Sequence, residues 1–169
     1  MLTSKQIKDL FEKLNSRLAQ DGEFGEIGIV GGAVMCLVYN ARQATKDVDA
    51  VFEPANKIRK IAAQIAEEDN LPEDWLNDGA KGFIQAGFNR QEVLELSNLR
   101  VWAPEPSYML AMKCISARWD SKDREDVEFL IDLLRIKKVD RVFEIIEGFY
   151  PKQIIAAKTK FFLEELLSS

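Results

Sequence analysis

Two aspartates in an alternating segment are the residues of this sequence best suited to chemistry. Asp47 and Asp49 stand at positions i and i+2, interleaved with Val48, Ala50 and Phe52. On a β-strand both carboxylates would point to the same side, with Cα atoms about 6.6 Å apart, so they can converge on one or two cations. Ligand sets made only of oxygen favour Mg²⁺, which usually arrives with substrate phosphates. The spacing therefore predicts a metal-binding pair.

A pair of glycines upstream fits a phosphate-binding role. Gly31 and Gly32 follow a short β-branched strand and precede an apolar, helix-compatible stretch. Glycine lets backbone N–H groups approach a phosphate closely, and the start of a helix adds positive dipole. Arg42 and Lys46 in the following linker can add side-chain charge to the same phosphates. The sequence thus predicts a phosphate cradle beside the metal-binding pair.

Composition narrows the chemistry further. The chain has 169 residues, no histidine and two cysteines, which excludes histidine-based triads and the zinc sites built from mixed His/Cys or four Cys ligands. The net charge is −5, from 23 Lys and Arg against 28 Asp and Glu, and this argues against a general binder of nucleic-acid backbones. Any metal must therefore be a hard cation held by carboxylates, and any acid–base chemistry must rely on Asp, Glu, Lys or Tyr.

The order of these motifs resembles the DNA polymerase β-like nucleotidyltransferase superfamily. The stretch GGAV, followed by R-x-x-T-K-D-V-D-A at residues 42–50, is similar to small bacterial nucleotidyltransferases that include the AbiEii-type toxins. The resemblance implies that an NTP binds with its triphosphate over Gly31 and Gly32. It also implies that Asp47 and Asp49 hold Mg²⁺ or Mn²⁺ during transfer of an NMP to an acceptor. The residues expected to help bind the nucleotide are Arg42, Thr45 and Lys46.

A second match lies downstream. Lys113 and Arg118, followed by Asp123 and Asp126, are similar to the Lys…Arg…Asp-x-x-Asp-x-x-x-Leu motif of AbiEii-like proteins. The resemblance implies that Lys113 contacts a phosphate and that Asp126 orients this lysine or assists the acceptor. Read from the residues alone, Lys113 is equally a solvated helix lysine, and Asp123 a charge that stabilises a helix N-terminus.

The superfamily usually supplies a third carboxylate from a later strand. Glu95 is the best candidate here, and Glu92 and Glu105 are the alternatives, but none of these three stands in a recognisable motif; Asp126 is a substitute. Three interpretations therefore remain open. The chain is a nucleotidyltransferase, a non-catalytic nucleotide- or protein-binding module on the same fold, or an α+β structural domain whose aspartate pair only decorates the surface.

The elements that must position these residues follow from hydrophobic periodicity. The predicted strands are Glu26–Val30, Asp47–Phe52, Phe83–Phe88, Glu92–Leu96 and Leu99–Trp102. The predicted helices are Ser4–Gln20, Ala33–Tyr39, Pro54–Asn70, Pro106–Arg118, Asp123–Arg135, Val139–Phe149 and Pro151–Leu167. We expect an α+β, nucleotidyltransferase-like fold: a small mixed β-sheet packed against helices forms an α/β core over residues 1–103, and a helical part over 104–169 packs on it.

Partners and location follow from the same features. RNA ends, protein hydroxyls and small molecules all suit the chemistry as acceptors, and the resemblance favours a toxin–antitoxin role with a separate antitoxin protein. The N-terminus is charged and periodic, and no stretch approaches about 18 continuous apolar residues, so we expect no signal peptide and no membrane span. Two isolated cysteines in apolar surroundings indicate buried thiols. We expect a cytoplasmic protein.

Overall fold

The structure, a computed structural model, describes residues 1–168 and shows a mixed α and β architecture. The helices are α1 (Ser4–Gln20), α2 (Gly32–Leu37), α3 (Ala55–Asp69), α4 (Pro106–Ser116), α5 (Ser121–Leu133), α6 (Val139–Phe149) and α7 (Ala157–Leu167). The strands are β1 (Leu2–Thr3), β2 (Gly25–Val30), β3 (Ala44–Thr45), β4 (Val48–Glu53), β5 (Leu76–Asn77), β6 (Arg90–Glu95) and β7 (Leu99–Pro104). The expected α+β class, with a small mixed sheet followed by helices, is confirmed.

The register of the main sheet decides which side chains share a face. Five strands lie in the order β5-β4-β2-β7-β6, while β1 and β3 form a separate antiparallel pair. Strand β2 runs antiparallel to β4 and parallel to β7. Asp49 lies opposite Val30, and Gly28 lies opposite Val51 on one side and Trp102 on the other. Because residues opposite each other in a sheet point the same way, these five residues share one face, which we call the Asp49 face.

The chain divides into two compact units. The first contains residues 1–82 and 90–103, and the second contains 83–89 together with the residues from Pro104 onward. In the first unit the face of the sheet opposite Asp49 is apolar, and Ile27, Ile29, Val48 and Ala50 are buried there. The proposed boundary between residues 103 and 104 as a domain limit stays a prediction.

Helix α1 in the first unit shows how the local sequence determines where a helix begins and which of its faces is buried. Its buried residues are Ile7, Leu10, Phe11, Leu14 and Leu18, which recur every three or four positions and form one apolar stripe. This helix packs against α3. At its start, the Thr3 hydroxyl accepts a hydrogen bond from the Gln6 N–H at 3.2 Å, and Gln6 Oε1 accepts one from the Thr3 N–H at 2.9 Å. These two reciprocal bonds form a capping box.

In the second unit, α4 packs against α5 and α6, and α6 contacts α7. Tyr108 in α4 and Tyr150, which directly follows α6, also bond to the segment of residues 83–89. Tyr108 Oη accepts a hydrogen bond from the Gln85 N–H at 2.7 Å, and Tyr150 Oη donates one to the Phe83 carbonyl at 2.5 Å. No helix within residues 1–168 combines the length and the apolar character needed to cross a membrane.

The main differences between the predicted elements and the structure are a missing strand, a shorter last helix and additional short strands. Residues 83–88 form no strand; a short 3₁₀ turn at Lys81–Phe83 precedes irregular backbone in which Gly87 has φ 95°, a conformation that interrupts a strand. The last helix begins at Ala157 rather than at residue 151. The two-residue strands β1, β3 and β5 were not expected, because so few residues carry no readable periodicity.

Candidate active site

The two glycines, which we call the glycine turn, lie directly against Asp49. Gly31 has φ 63° and ψ −143°, a backbone region that is almost restricted to glycine. A Cβ atom added at Gly31 would lie 3.3 Å from Asp49 Oδ2. The sheet register explains this approach, because Val30, the preceding residue, lies opposite Asp49. The glycine turn and one predicted metal ligand therefore form a single surface.

Side chains of the following linker cover the second glycine. A Cβ atom at Gly32 would lie 2.6 Å from Thr45 Oγ1 and 2.9 Å from a guanidinium nitrogen of Arg42. Thr45 is buried, and its hydroxyl donates a hydrogen bond to the Asp47 carbonyl at 3.3 Å. Pairing of β3 with β1 fixes the backbone at Thr45. The structure thus brings Arg42 and Thr45 to the glycine turn.

The carboxylate pair lies where β4 begins. Asp49 is the second residue of that strand, Asp47 directly precedes it, and both are half-buried, while Lys46 is exposed. Burial raises the pKa of Asp47 above its ordinary value; the charge of Lys46 opposes this rise and the charge of Asp74 adds to it. Because partial desolvation disfavours a negative charge, a cation bound here would stabilise the ionised carboxylate.

The donor set suits one hard cation that is shared with a phosphate. Mg²⁺ is usually held in proteins by one or two carboxylates together with substrate phosphates and water. Within residues 1–168, no three His, Cys, Asp or Glu side chains are grouped so that they could hold a metal. Asp47 and Asp49 match the two-carboxylate pattern, and phosphate oxygens on the glycine turn would complete it.

A short strand that the sequence analysis missed supports β4 from its other edge. Asn77 in β5 lies opposite Asp49, and the Val48 N–H donates a hydrogen bond to the Trp75 carbonyl at 2.7 Å. The indole N–H of Trp75 donates in turn to the Ala62 carbonyl on α3 at 2.9 Å. The backbone that carries Asp49 is therefore fixed from both sides of its strand.

The structure does not bring Glu95 to this carboxylate pair. Glu95 lies on the edge strand β6, where its carboxylate is exposed and bound by Arg100 at 3.3 Å. Arg100 is opposite Glu26 near the start of β2, whereas Asp49 is opposite Val30 at its end. Four residues along a strand span about 13 Å, and two strands also separate β6 from β4. The expected third carboxylate is not supplied by Glu95 in this arrangement.

The two alternative glutamates have local partners. Glu92 is exposed on β6 and forms a hydrogen bond with Glu95, and this bond is the main cause that raises the pKa of Glu92. Glu105 belongs to the second unit, where its carboxylate accepts a hydrogen bond from the Asn89 N–H at 2.6 Å. Strand β7 itself, with the sequence LRVWAP, contains no acidic residue.

The downstream motif forms an ion cluster in the second unit. Lys113 Nζ lies 2.8 Å from Asp123 Oδ1 and 3.1 Å from Asp126 Oδ2. Asp123 Oδ2 also accepts the backbone N–H groups of Arg118 and Trp119, each at 2.8 Å. The cluster joins α4 to α5 and fixes the turn between them. Lys113 and Asp126 are thus brought together, while their part in a reaction stays a prediction.

The sequence analysis did not identify a second cluster of side chains on the Asp49 face, which is centred on Trp102. The indole of Trp102 lies across Gly28, where a Cβ atom would be 2.1 Å from the ring. The guanidinium of Arg90 lies 4.1 Å from the ring centroid, on the same tryptophan, and 3.6 Å from Glu26. An isolated glycine inside a strand is the signal that could have revealed this close approach.

Comparison with known proteins identifies a family. Residues 5–158 match the sequence model of the family described as "Nucleotidyltransferase of unknown function (DUF6036)". The matched range contains the five strands of the main sheet, the glycine turn, the carboxylate pair and the ion cluster. Searches of curated proteins and of solved structures gave no significant match.

Proposed function

The chain belongs to this family of nucleotidyltransferases, and on that premise we propose that it transfers an NMP from an NTP to an acceptor hydroxyl. The observation that carries the proposal is the contact between the glycine turn and Asp49, with 3.3 Å between a Cβ position at Gly31 and Asp49 Oδ2. A phosphate seated on the glycine turn would therefore lie beside the carboxylate pair.

The residues of the chain bind and orient the nucleotide. N–H groups in the first turn of a helix have no acceptor inside the helix, and in α2 the first helical bond runs from Val34 N–H to the Gly31 carbonyl at 3.1 Å. Gly32, which precedes that bond, can therefore offer its N–H to phosphate oxygens. Arg42 adds positive charge beside it, and Thr45 lies against Gly32. Lys46 is exposed, and in this proposal its charge adds to that of Arg42 at the phosphates.

Mg²⁺ or Mn²⁺ held by Asp47 and Asp49 would neutralise phosphate charge during the transfer. In the reaction, the acceptor oxygen bonds to the α-phosphorus, and the bond between that phosphorus and the bridging oxygen breaks. Pyrophosphate leaves, and the hydroxyl proton passes to water. The chain contributes position and electrostatics, which are the main needs of phosphoryl and nucleotidyl transfer.

A nucleotide-binding module without turnover is the second candidate. It is favoured because no third acid joins Asp47 and Asp49 in the described part of the chain.

The motif pair also resembles AbiEii-like toxins, and this supports a toxin–antitoxin role with a separate antitoxin as partner. If the chain has that role, we expect its expression without the antitoxin to slow the growth of the bacterial host. The Asp49→Asn variant should not slow growth.

One labelling experiment separates these functions. The purified chain is incubated with Mg²⁺ and each α-³²P NTP, with total RNA, protein or small molecules as acceptors, beside the Asp47→Asn/Asp49→Asn double variant. We expect label on one acceptor class with the wild type and none with the variant. Nucleotide binding is measured in parallel as the thermal shift with NTP and Mg²⁺. Binding without transfer of label supports the binding module, and absence of binding to any NTP refutes both candidates.

A further inference from the structure

The Asp49 face carries a groove beside the proposed reaction centre. The groove has a volume of about 170 Å³ and lies wholly within the first unit. Its lining includes Glu26, Val51, Glu53, Asp78, Arg90 and Trp102. Val51 follows Asp49 by two positions on the same strand face, about 6.8 Å along β4. Glu53 lies four positions from Asp49, about 13 Å along β4. A molecule that pairs with Glu53 and extends past Val51 can therefore present a hydroxyl to a phosphate held at Asp49.

Trp102 forms the floor of the groove by filling the space that glycine leaves at position 28. Gly28 leaves room for the indole of Trp102 to lie across β2, and that indole is only 6% exposed. Arg90 covers the ring at 4.1 Å and contacts Glu26 at 3.6 Å. A glycine usually weakens the strand that contains it. Here Gly28 leaves room for the large apolar ring of Trp102, which the charged guanidinium of Arg90 covers. The guanidinium of Arg90 is thereby fixed and its charge is compensated.

The carboxylates that line the groove differ in how their charge is compensated. Three carboxylates line it against the two cations Lys81 and Arg90. Arg90 contacts one of the carboxylates, and Asp78 is bound from outside the groove by Arg59 at 2.9 Å. Glu53 is exposed and lies directly opposite Glu26 across β2 and β4. Like charges directly opposite each other destabilise a strand pair, so a cationic group beside Glu53 would relieve repulsion.

We propose that this groove binds the acceptor, and that the acceptor is a small hydroxyl compound with a cationic group that pairs with Glu53. The proposal rests on the proposed nucleotidyl transfer and names its acceptor class. The groove is smaller than the roughly 300–1,000 Å³ of drug-sized ligand sites, so it suits a small molecule rather than a polymer. The exposed carboxylate of Glu53 disfavours a phosphate group beside it, such as that of an RNA end.

A fractionated acceptor pool tests this proposal. Low-mass compounds from a cell extract are divided by cation exchange at neutral pH into a retained, cationic pool and an unretained pool. Each pool is offered with α-³²P NTP and Mg²⁺ to the wild type, to Glu53→Gln and to the matched control Glu12→Gln. Glu12 is an exposed acid on α1, outside the groove. Thermal shift with NTP and Mg²⁺ measures nucleotide binding by all three proteins.

We expect label only with the retained pool. Glu53→Gln should reduce the yield by about two- to fivefold, because the ion pair that it removes is formed by an exposed carboxylate. Its NTP-dependent thermal shift should equal that of the wild type and of Glu12→Gln. Labelling of RNA, protein or the unretained pool, or labelling that Glu53→Gln leaves unchanged, overturns the acceptor assignment. Loss of the NTP shift in the wild type instead refutes the proposed function itself.

Discussion

Replacement of Gly31 by alanine tests the glycine turn directly. At φ 63° and ψ −143° a residue with a Cβ atom is strained by about 1–3 kcal/mol. Each kcal/mol should lower the Tm of a chain of this length by about 2–4 °C. The new methyl group would also lie 3.3 Å from Asp49 Oδ2, closer than an ordinary contact, so the carboxylate has to shift by a few tenths of an ångström.

Thermal unfolding with and without NTP and Mg²⁺ separates these two effects. A ligand at 100 times its Kd stabilises the wild type by about 2.7 kcal/mol, which corresponds to a Tm increase of roughly 5–11 °C. We expect Gly31→Ala to lose both part of its basal Tm and this ligand-dependent increase. Gly22→Ala is the matched control, because Gly22 has φ 65° and no atom within 4 Å of its Cβ position.

The control should lose basal Tm and keep the full response to the ligand. If Gly31→Ala retains the wild-type increase, the glycine turn does not hold the phosphates and the reasoning is refuted. If Gly22→Ala also loses the response, the loss reflects general instability rather than the contact with Asp49.

Three further predictions concern stability. Lys113→Met should lower the free energy of unfolding in urea by about 3–5 kcal/mol, because two buried carboxylates lose their cation; a loss under 1 kcal/mol would contradict this. Burial alone would raise the pKa of Asp123, but its bonds with Lys113 and backbone N–H groups lower it. Its stabilising contribution is therefore complete above the unfolded value of about 3.9 and is lost as pH falls through the lower folded value. Asp123→Asn should flatten this slope in urea titrations across that range, and an unchanged slope would exclude the assignment. Thr3→Ala should cost about 0.5–2 kcal/mol in the same assay through loss of the capping box, whereas the exposed Ser16→Ala on the same helix should change little.

Much of the fold could be predicted where periodicity and local signals agree. The bounds of α1 and α6 match the prediction, and the alternation of Val48, Ala50 and Phe52 marked the buried face of β4. In each case one apolar face is buried, so hydrophobic spacing reports the local structure directly.

The errors arise where distant side chains decide the backbone. Phe83 and Gln85 lie in a segment that reads as a strand, yet their backbone groups bond with Tyr150 and Tyr108 instead of a neighbouring strand. The same limit applies to the site. The glycine turn and Asp49 could be paired from motif order, whereas Glu95 reads as a mid-strand acid and only the sheet order separates it from Asp49.

The packing of Arg90 on Trp102 gives the protein an optical reporter. Trp75 and Trp119 do not line the groove, so a molecule bound there touches neither indole and their emission supplies a background. The indole of Trp102 is the one that lines the groove, under a guanidinium 4.1 Å away. A molecule that enters and displaces Arg90 changes the surroundings of this single fluorophore. Occupancy of the groove can therefore be followed by intrinsic fluorescence, without a label and before any product forms.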